Sequence, residues 1–295
     1  MQEFLQLIVT GLVIGSVYAL VAMGFALIYK STSIINFAQG EFVLVGGYFC
    51  LYLYSDLGVP ILLACVLTML MSVVMGVLLE RLILRPMIGE PIISVIMITI
   101  ALATVLKSIV TVAWGTQIRV YDPPVFSQDA IHFGNILVSE VYLWTVAFAF
   151  IFLGIFAAFF KFTRVGISMR AVANNQMVAQ SMGISVKKVF AISWSIGALV
   201  SAVGGILVGN INGVNIALSD FGLKVFPAVI LGGLESIGGA IIGGLTIGIL
   251  ENIMGSYLDV YFGGGVKEIS PFVVLIIILM VKPYGLFGIK EIERV

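Results

Sequence analysis

Apolar residues occupy this chain in long blocks, and polar residues are confined to short interruptions between them. Blocks near 4–29, 41–55, 59–80, 92–114, 140–161, 188–210 and 269–282 predict membrane-spanning helices, because helix closes its own backbone hydrogen bonds in lipid. An eighth block, 222–253, is apolar but carries the stretch LGGLESIGGAIIGG. A continuous helix there would forgo roughly 1 kcal/mol per glycine relative to alanine. The pattern predicts two half-helices joined by a turn, a re-entrant pair. The fold class expected is all-α, a polytopic membrane protein of about eight segments, with residues 1–295 as a single transmembrane domain.

Composition agrees. The chain has 295 residues, 61% hydrophobic and 10% charged, and a mean hydropathy of +1.18. Net charge is zero, which gives no reason to expect a nucleic-acid partner. The apolar run at 4–29 is too long for a signal-peptide core and has no cleavage site after it, so a retained helix is expected. Cys50 and Cys65 both fall in apolar segments, against a disulfide framework. His132, the single histidine, reads as a loop residue, and no metal site or cofactor is predicted. One loop histidine and two apolar cysteines also make poor material for catalysis, so no catalytic residue is expected.

The basic residues set an orientation. With the N-terminus outside and 222–253 re-entrant, Lys30, Arg81, Arg85, Lys161, Arg164, Arg170, Lys187, Lys188, Lys282, Lys290 and Arg294 share the cytoplasmic side. Arg119, Lys224 and Lys267 fall outside. The external loop 115–139, with Pro123-Pro124 and several aromatic and acidic residues, suits either a docking surface or a solvated connector.

The insert 161–188 carries five basic residues and no acid. Ser168–Met182 predicts a short helix with a small or apolar stripe of Met169, Val172, Gln176, Ala179 and Met182, stopped at Gly183. The stripe is rich in small side chains, which suits a groove on a partner protein better than burial in acyl chains.

Polar residues at membrane depth are costly and tend to face a bundle interior or cavity. INFAQGE brings Asn36, Gln39 and Glu41 together, and Glu235 and Ser236 sit inside the glycine-rich break. These residues either cap half-helices or line a translocation path, and the two roles are compatible. Lys107 reads as a snorkelling residue, Glu251 as a helix end at an interface, and no dense charged cluster is expected. Residues 15–29 echo 197–209, each followed by a polar or glycine-rich break, the pattern of transporters built from repeats. The Gly11/Gly15, Gly205/Gly209, Gly239/Gly243 and Gly244/Gly248 steps predict close helix packing.

Four stretches, GLVIGSVYALVAMGFALIY, INFAQGEF, RVGISMRAVANNQMVAQSMGI and LGGLESIGGAIIGG with the tail KPYGLFG, resemble the branched-chain amino acid permeases of ATP-driven uptake systems, in the expected order. The resemblance implies a multi-pass subunit of the cell inner membrane, working with a second homologous permease, two cytoplasmic ATPases and a soluble periplasmic or extracellular substrate-binding protein. It also implies that 168–183 is the ATPase-coupling helix, with Arg170, Ala171, Asn174, Ala179, Met182 and Gly183 at the contact. The general importer pattern has Glu-Ala-Ala, three residues, then Gly. Here Met177-Val178-Ala179 precedes Gly183, without the glutamate. Relatives of this kind also carry urea, short amides or aromatic acids. No phosphate-binding loop is present, so hydrolysis is expected of partner chains. A stand-alone ion-coupled transporter is the alternative, with Glu41 and Glu235 as its carboxylates.

Overall fold

The computed structural model describes residues 2–127, 129–133 and 136–288. It is all-α apart from a two-stranded antiparallel hairpin, β1 (Ala130–Phe133) and β2 (Ile136–Ser139), in the loop before the fifth helix. The helices are α1 (Gln2–Thr32), α2 (Gln39–Leu51), α3 (Ile61–Leu79), α4 (Ile92–Trp114), α5 (Glu140–Phe162), α6 (Arg164–Asn174), α7 (Gln176–Ser181), α8 (Val186–Asn212), α9 (Asp220–Gly232), α10 (Ile237–Phe262) and α11 (Val266–Val281). Among the described residues six helices are long and apolar enough to cross a membrane: α1, α3 with its extension to Met87, α4, α5, α8 and α10. The chain is a polytopic membrane protein. Lys290 and Arg294, counted above as cytoplasmic, and the side chain of His132 lie outside the described residues.

Two long helices form the centre. The apolar stretches of α1 and α8 are 89% and 83% buried, against 22% for both α3 and α4, whose outer faces are left for lipid. Glycine sets the spacing. Gly11 and Gly15 of α1 meet Gly248 and Gly244 of α10 backbone to backbone, as the four-residue steps require. On α8, Gly205 lies against the Val43 carbonyl of α2, and Ser195 lies against Gly76 of α3.

The predicted span 41–55 is helical throughout, as the 13-residue α2 and the wider helical turn at Tyr52–Asp56 that continues it, but α2 is a half-helix whose first residues are buried inside the bundle. The start lies at depth because the segment before it, 33–38, is not helical. The apolar block could not reveal this, since buried irregular chain can be as apolar as helix. The break inside 222–253 is present, at Gly233–Ser236. However, α10 runs on to Phe262 and is long enough to span, so the second arm is no half-helix. The other arm, α9, matches α2 at 13 residues.

The tail closes the α9 end. The backbone N–H groups of Leu286 and Phe287 donate to the carbonyls of Leu231 and Gly232 at 2.8 and 3.2 Å. They satisfy two of the carbonyls that a helix C-terminus leaves orphaned.

The expected single helix 168–183 is two. Asn175 takes an extended conformation (φ −161°) and its side chain accepts from Val178 N, starting α7 anew. The local cause is the Asn174-Asn175 pair, whose side chains compete with backbone for hydrogen bonds. Gly183 does end the element, with φ +83°, and Ile184 N returns to the Ala179 carbonyl at 3.0 Å.

Candidate functional site at the meeting of two half-helices

The segment after α1 turns back into the bundle and delivers the start of α2 to the interior. The Asn36 side chain accepts from Ala38 N at 3.0 Å and donates to Gln39 Oε1 at 2.9 Å. Gln39 in turn donates to Ser201 Oγ at 2.6 Å, near the middle of α8. The helix thus starts at depth, its first residues pinned by amide side chains and not by a conventional cap.

A second half-helix arrives from the opposite side. After α8 the chain passes Gly213 and a short 3₁₀ turn, Ile216–Ser219, before α9 begins at Asp220. The two starts touch. A methyl group on Gly222 would lie 2.6 Å from Gly40 Cα, and one on Gly40 would lie 2.9 Å from Gly222 N. Only glycine lets two backbones approach this closely. INFAQGE therefore meets the 213–222 segment.

Glu41 and Asp220 lie in the first turns of α2 and α9, where carboxylates complement the positive ends of helix dipoles. Both line one cavity of about 640 Å³, together with Phe37, Ser219 and Leu223 and, on α4, Ile100, Thr104, Lys107, Ser108 and Thr111. Lys107 and Asp220 are near enough to act on the Glu41 carboxylate, one attracting and one repelling. Three charges from three helices thus line one cavity, with no ion pair within 4 Å between them among the described residues. Lys107 lies on its wall, and no snorkelling role is needed. Asp220 was missed because it follows a short 3₁₀ turn that apolar patterning does not mark. Its signal was the SDFG stretch beginning a second apolar run.

The remaining sequence candidates lie elsewhere. Glu235 is exposed and lines a separate cavity with Tyr29 and Tyr284, so it does not meet Glu41. Ser236 caps α10, accepting from Gly239 N at 3.0 Å. Glu251 does not end a helix but sits within α10, 2% exposed. It accepts from Tyr18 Oη at 2.7 Å and from Lys224 Nζ at 3.0 Å. Lys224 also reaches Glu268 at 2.8 Å, so an ion network, buried at Glu251 and exposed at Glu268, ties α9 to α10 and α11. Cys50 and Cys65 are free, with sulfurs 3.9 Å apart.

In the insert, Arg170 donates to the Phe160 carbonyl at the end of α5 and stacks on the Phe160 ring, 5.3 Å from its centroid. Met169, Val172 and Ala179 are buried against the bundle, and Ala171 is half-buried. Asn174, Gly183 and the apolar Met177, Val178 and Met182 face outward, at 79%, 58% and 77% exposure for the last three. Gln176 of α7 lines a small cavity with Thr32–Ile35 and Ile88–Glu90, so the insert abuts the segment leading to the half-helix junction.

The family described as "Branched-chain amino acid transport system / permease component" matches this sequence over residues 7–282. The chain belongs to this permease family. It is 32% identical to the high-affinity branched-chain amino acid transport system permease protein LivH of Escherichia coli (strain K12), covering 99% of this chain and 98% of that one. It is 31% identical to BraD of Pseudomonas aeruginosa, named as the same kind of permease, with the same coverage. A probable branched-chain amino acid permease of Methanocaldococcus jannaschii is 30% identical over 98% of this chain and 95% of its own. The fold is also similar to a solved structure, PsaBC from Streptococcus pneumoniae in complex with Fab, at TM-score 0.52 and 13% identity over 95% of this chain and 92% of that one. Like its family, the chain is a transport subunit.

Proposed function

We propose that this chain is the permease subunit of an ATP-driven importer in the cell inner membrane, carrying branched-chain or related amino acids delivered by a soluble binding protein. The observation that carries the reading is the meeting of α2 and α9 at a charged cavity. Broken helices at depth persist only where they border protein or a watery path, and transporters place substrates at such breaks. The relatives' names supply the substrate class.

Energy enters from partner chains at the α6–α7 insert. Its outward Met177, Val178 and Met182 suit a groove on a cytoplasmic ATPase, while Arg170 holds the insert to α5. A second permease completes the open side of the cavity, and Asn36 and Gln39 hold the α2 start against α8. About eight membrane segments, with α2 and α9 as half-spans, agree with this arrangement.

The test is uptake of leucine by proteoliposomes holding the chain with its sister permease and ATPases, fed by loaded binding protein and internal ATP. Accumulation that requires ATP and the ATPases is expected. Ion-gradient-driven uptake by this chain without ATPases would overturn the proposal, and so would uptake of urea or a short amide in place of leucine.

A further inference from the structure

The cavity between α2, α4 and α9 has a charge arrangement that the family resemblance does not explain. Its acids sit on the two half-helix starts and its lysine on α4. Among the described residues no ion pair within 4 Å joins Lys107 to Glu41 or Asp220, whereas Lys224, the other lysine in the bundle interior, is paired at 2.8 and 3.0 Å. Charges kept apart in a partly desolvated cavity remain available to an incoming group. The hydroxyls of Thr104, Ser108 and Thr111 donate to backbone carbonyls of their own helix at 3.2, 2.8 and 2.8 Å, so the donor that α4 offers the cavity is the Lys107 ammonium. Apolar wall is supplied by Phe37, Ile100 and Leu223. A volume of about 640 Å³ falls within the range of small-molecule sites.

Resting on the amino-acid reading above, we infer that this cavity receives an α-amino acid as its zwitterion. Lys107 faces the α-carboxylate, Glu41 and Asp220 face the α-ammonium, and the Phe37, Ile100 and Leu223 wall faces an aliphatic side chain. A zwitterion offers one group of each sign, its carboxylate to Lys107 and its ammonium to be shared by the two acids. A neutral amide such as urea leaves all three without a counter-charge. The cavity is thus the point in this chain at which amino acids are separated from the amides carried by similar permeases.

The experiment uses the assembled complex in proteoliposomes, with the Lys107→Gln, Asp220→Asn, Lys107→Arg and Asp220→Glu variants. Losing one charge-assisted contact is expected to slow leucine uptake by about tenfold or more. Subunit co-purification and ATP hydrolysis stimulated by the loaded binding protein should persist, and the charge-keeping variants should retain most uptake. A second measurement needs no variant: carbodiimide modification of Asp220 in the wild-type complex is expected to slow with leucine and not with urea. Wild-type uptake rates in both neutralised variants, or modification indifferent to leucine, would overturn the inference. A wild-type complex that carries no leucine would instead overturn the amino-acid reading on which it rests.

Discussion

Replacing Gly222 with alanine tests the half-helix junction, because two effects of known size oppose each other there. Alanine in a helix interior gains about 1 kcal/mol over glycine from propensity. At Gly222, however, the new methyl would stand 2.6 Å from Gly40 Cα, short of ordinary contact at 3.4 Å by about 0.8 Å. The obstacle is backbone and cannot rotate away, so α2 and α9 must separate. Overpacking of this kind costs about 1–3 kcal/mol, and backbone crowding belongs at the upper end. The expected net loss is about 1–2 kcal/mol, a fall in melting temperature of about 2–8 °C at 2–4 °C per kcal/mol. Gly154→Ala is the control: it lies in α5 with no neighbour within 4 Å of the added methyl, so only the propensity gain applies and stability should hold or rise. The assay is thermal melting of the purified complex, followed by leucine uptake, which Gly222→Ala should slow more than its stability loss explains. A Gly222→Ala variant that melts and transports like Gly154→Ala would refute the close junction.

Lys224→Met leaves Glu251 buried with only Tyr18 as partner and should destabilise by about 3–5 kcal/mol, while Lys224→Met with Glu251→Met recovers most of it; equal melting of single and double variants would contradict the network. Val178→Asp should leave stability within about 0.5 kcal/mol, as expected of an exposed site, but weaken ATPase co-purification. Retained co-purification would count against docking at α7. Leu286→Pro removes the N–H that reaches the Leu231 carbonyl and should cost about 1–3 kcal/mol, measured by melting against Leu286→Ala, which keeps the bond.

The apolar blocks made five of the six long spanning helices legible, α10 having been expected as a half-helix, and the glycine cluster at 232–244 correctly marked a break. INFAQGE was singled out because three polar side chains inside apolar sequence need partners, and two of the partners, Ser201 and Ala38, are now identified. What stayed hidden was long-range pairing. Nothing local tells that Gly40 meets Gly222, or that Lys107 and Asp220 share a wall, because these residues are distant in sequence and each looks ordinary alone. Glu251 was misjudged for the same reason: α10 continues past it to Phe262, and its partners Tyr18 and Lys224 are distant in sequence. Splitting of the insert was readable in principle from Asn174-Asn175. The 3–4 spacing of Met169, Val172 and Ala179 outweighed it, and all three are indeed buried on one side.

The central claim is that the junction of α2 and α9 borders the path of the transported solute. It is tested most directly by a charged, membrane-impermeant thiol reagent on the Leu223→Cys variant, in a Cys50→Ser, Cys65→Ser background. Leu223 is 54% exposed on the cavity wall, and Ile109, 56% exposed on α4 away from that wall, serves as the control. The account predicts that the reagent modifies Cys at 223, blocks leucine uptake, and reacts at a rate that changes when ATP and loaded binding protein are supplied, while Ile109→Cys stays unmodified. Equal inertness at both positions, or modification at 223 with uptake undiminished, would contradict it.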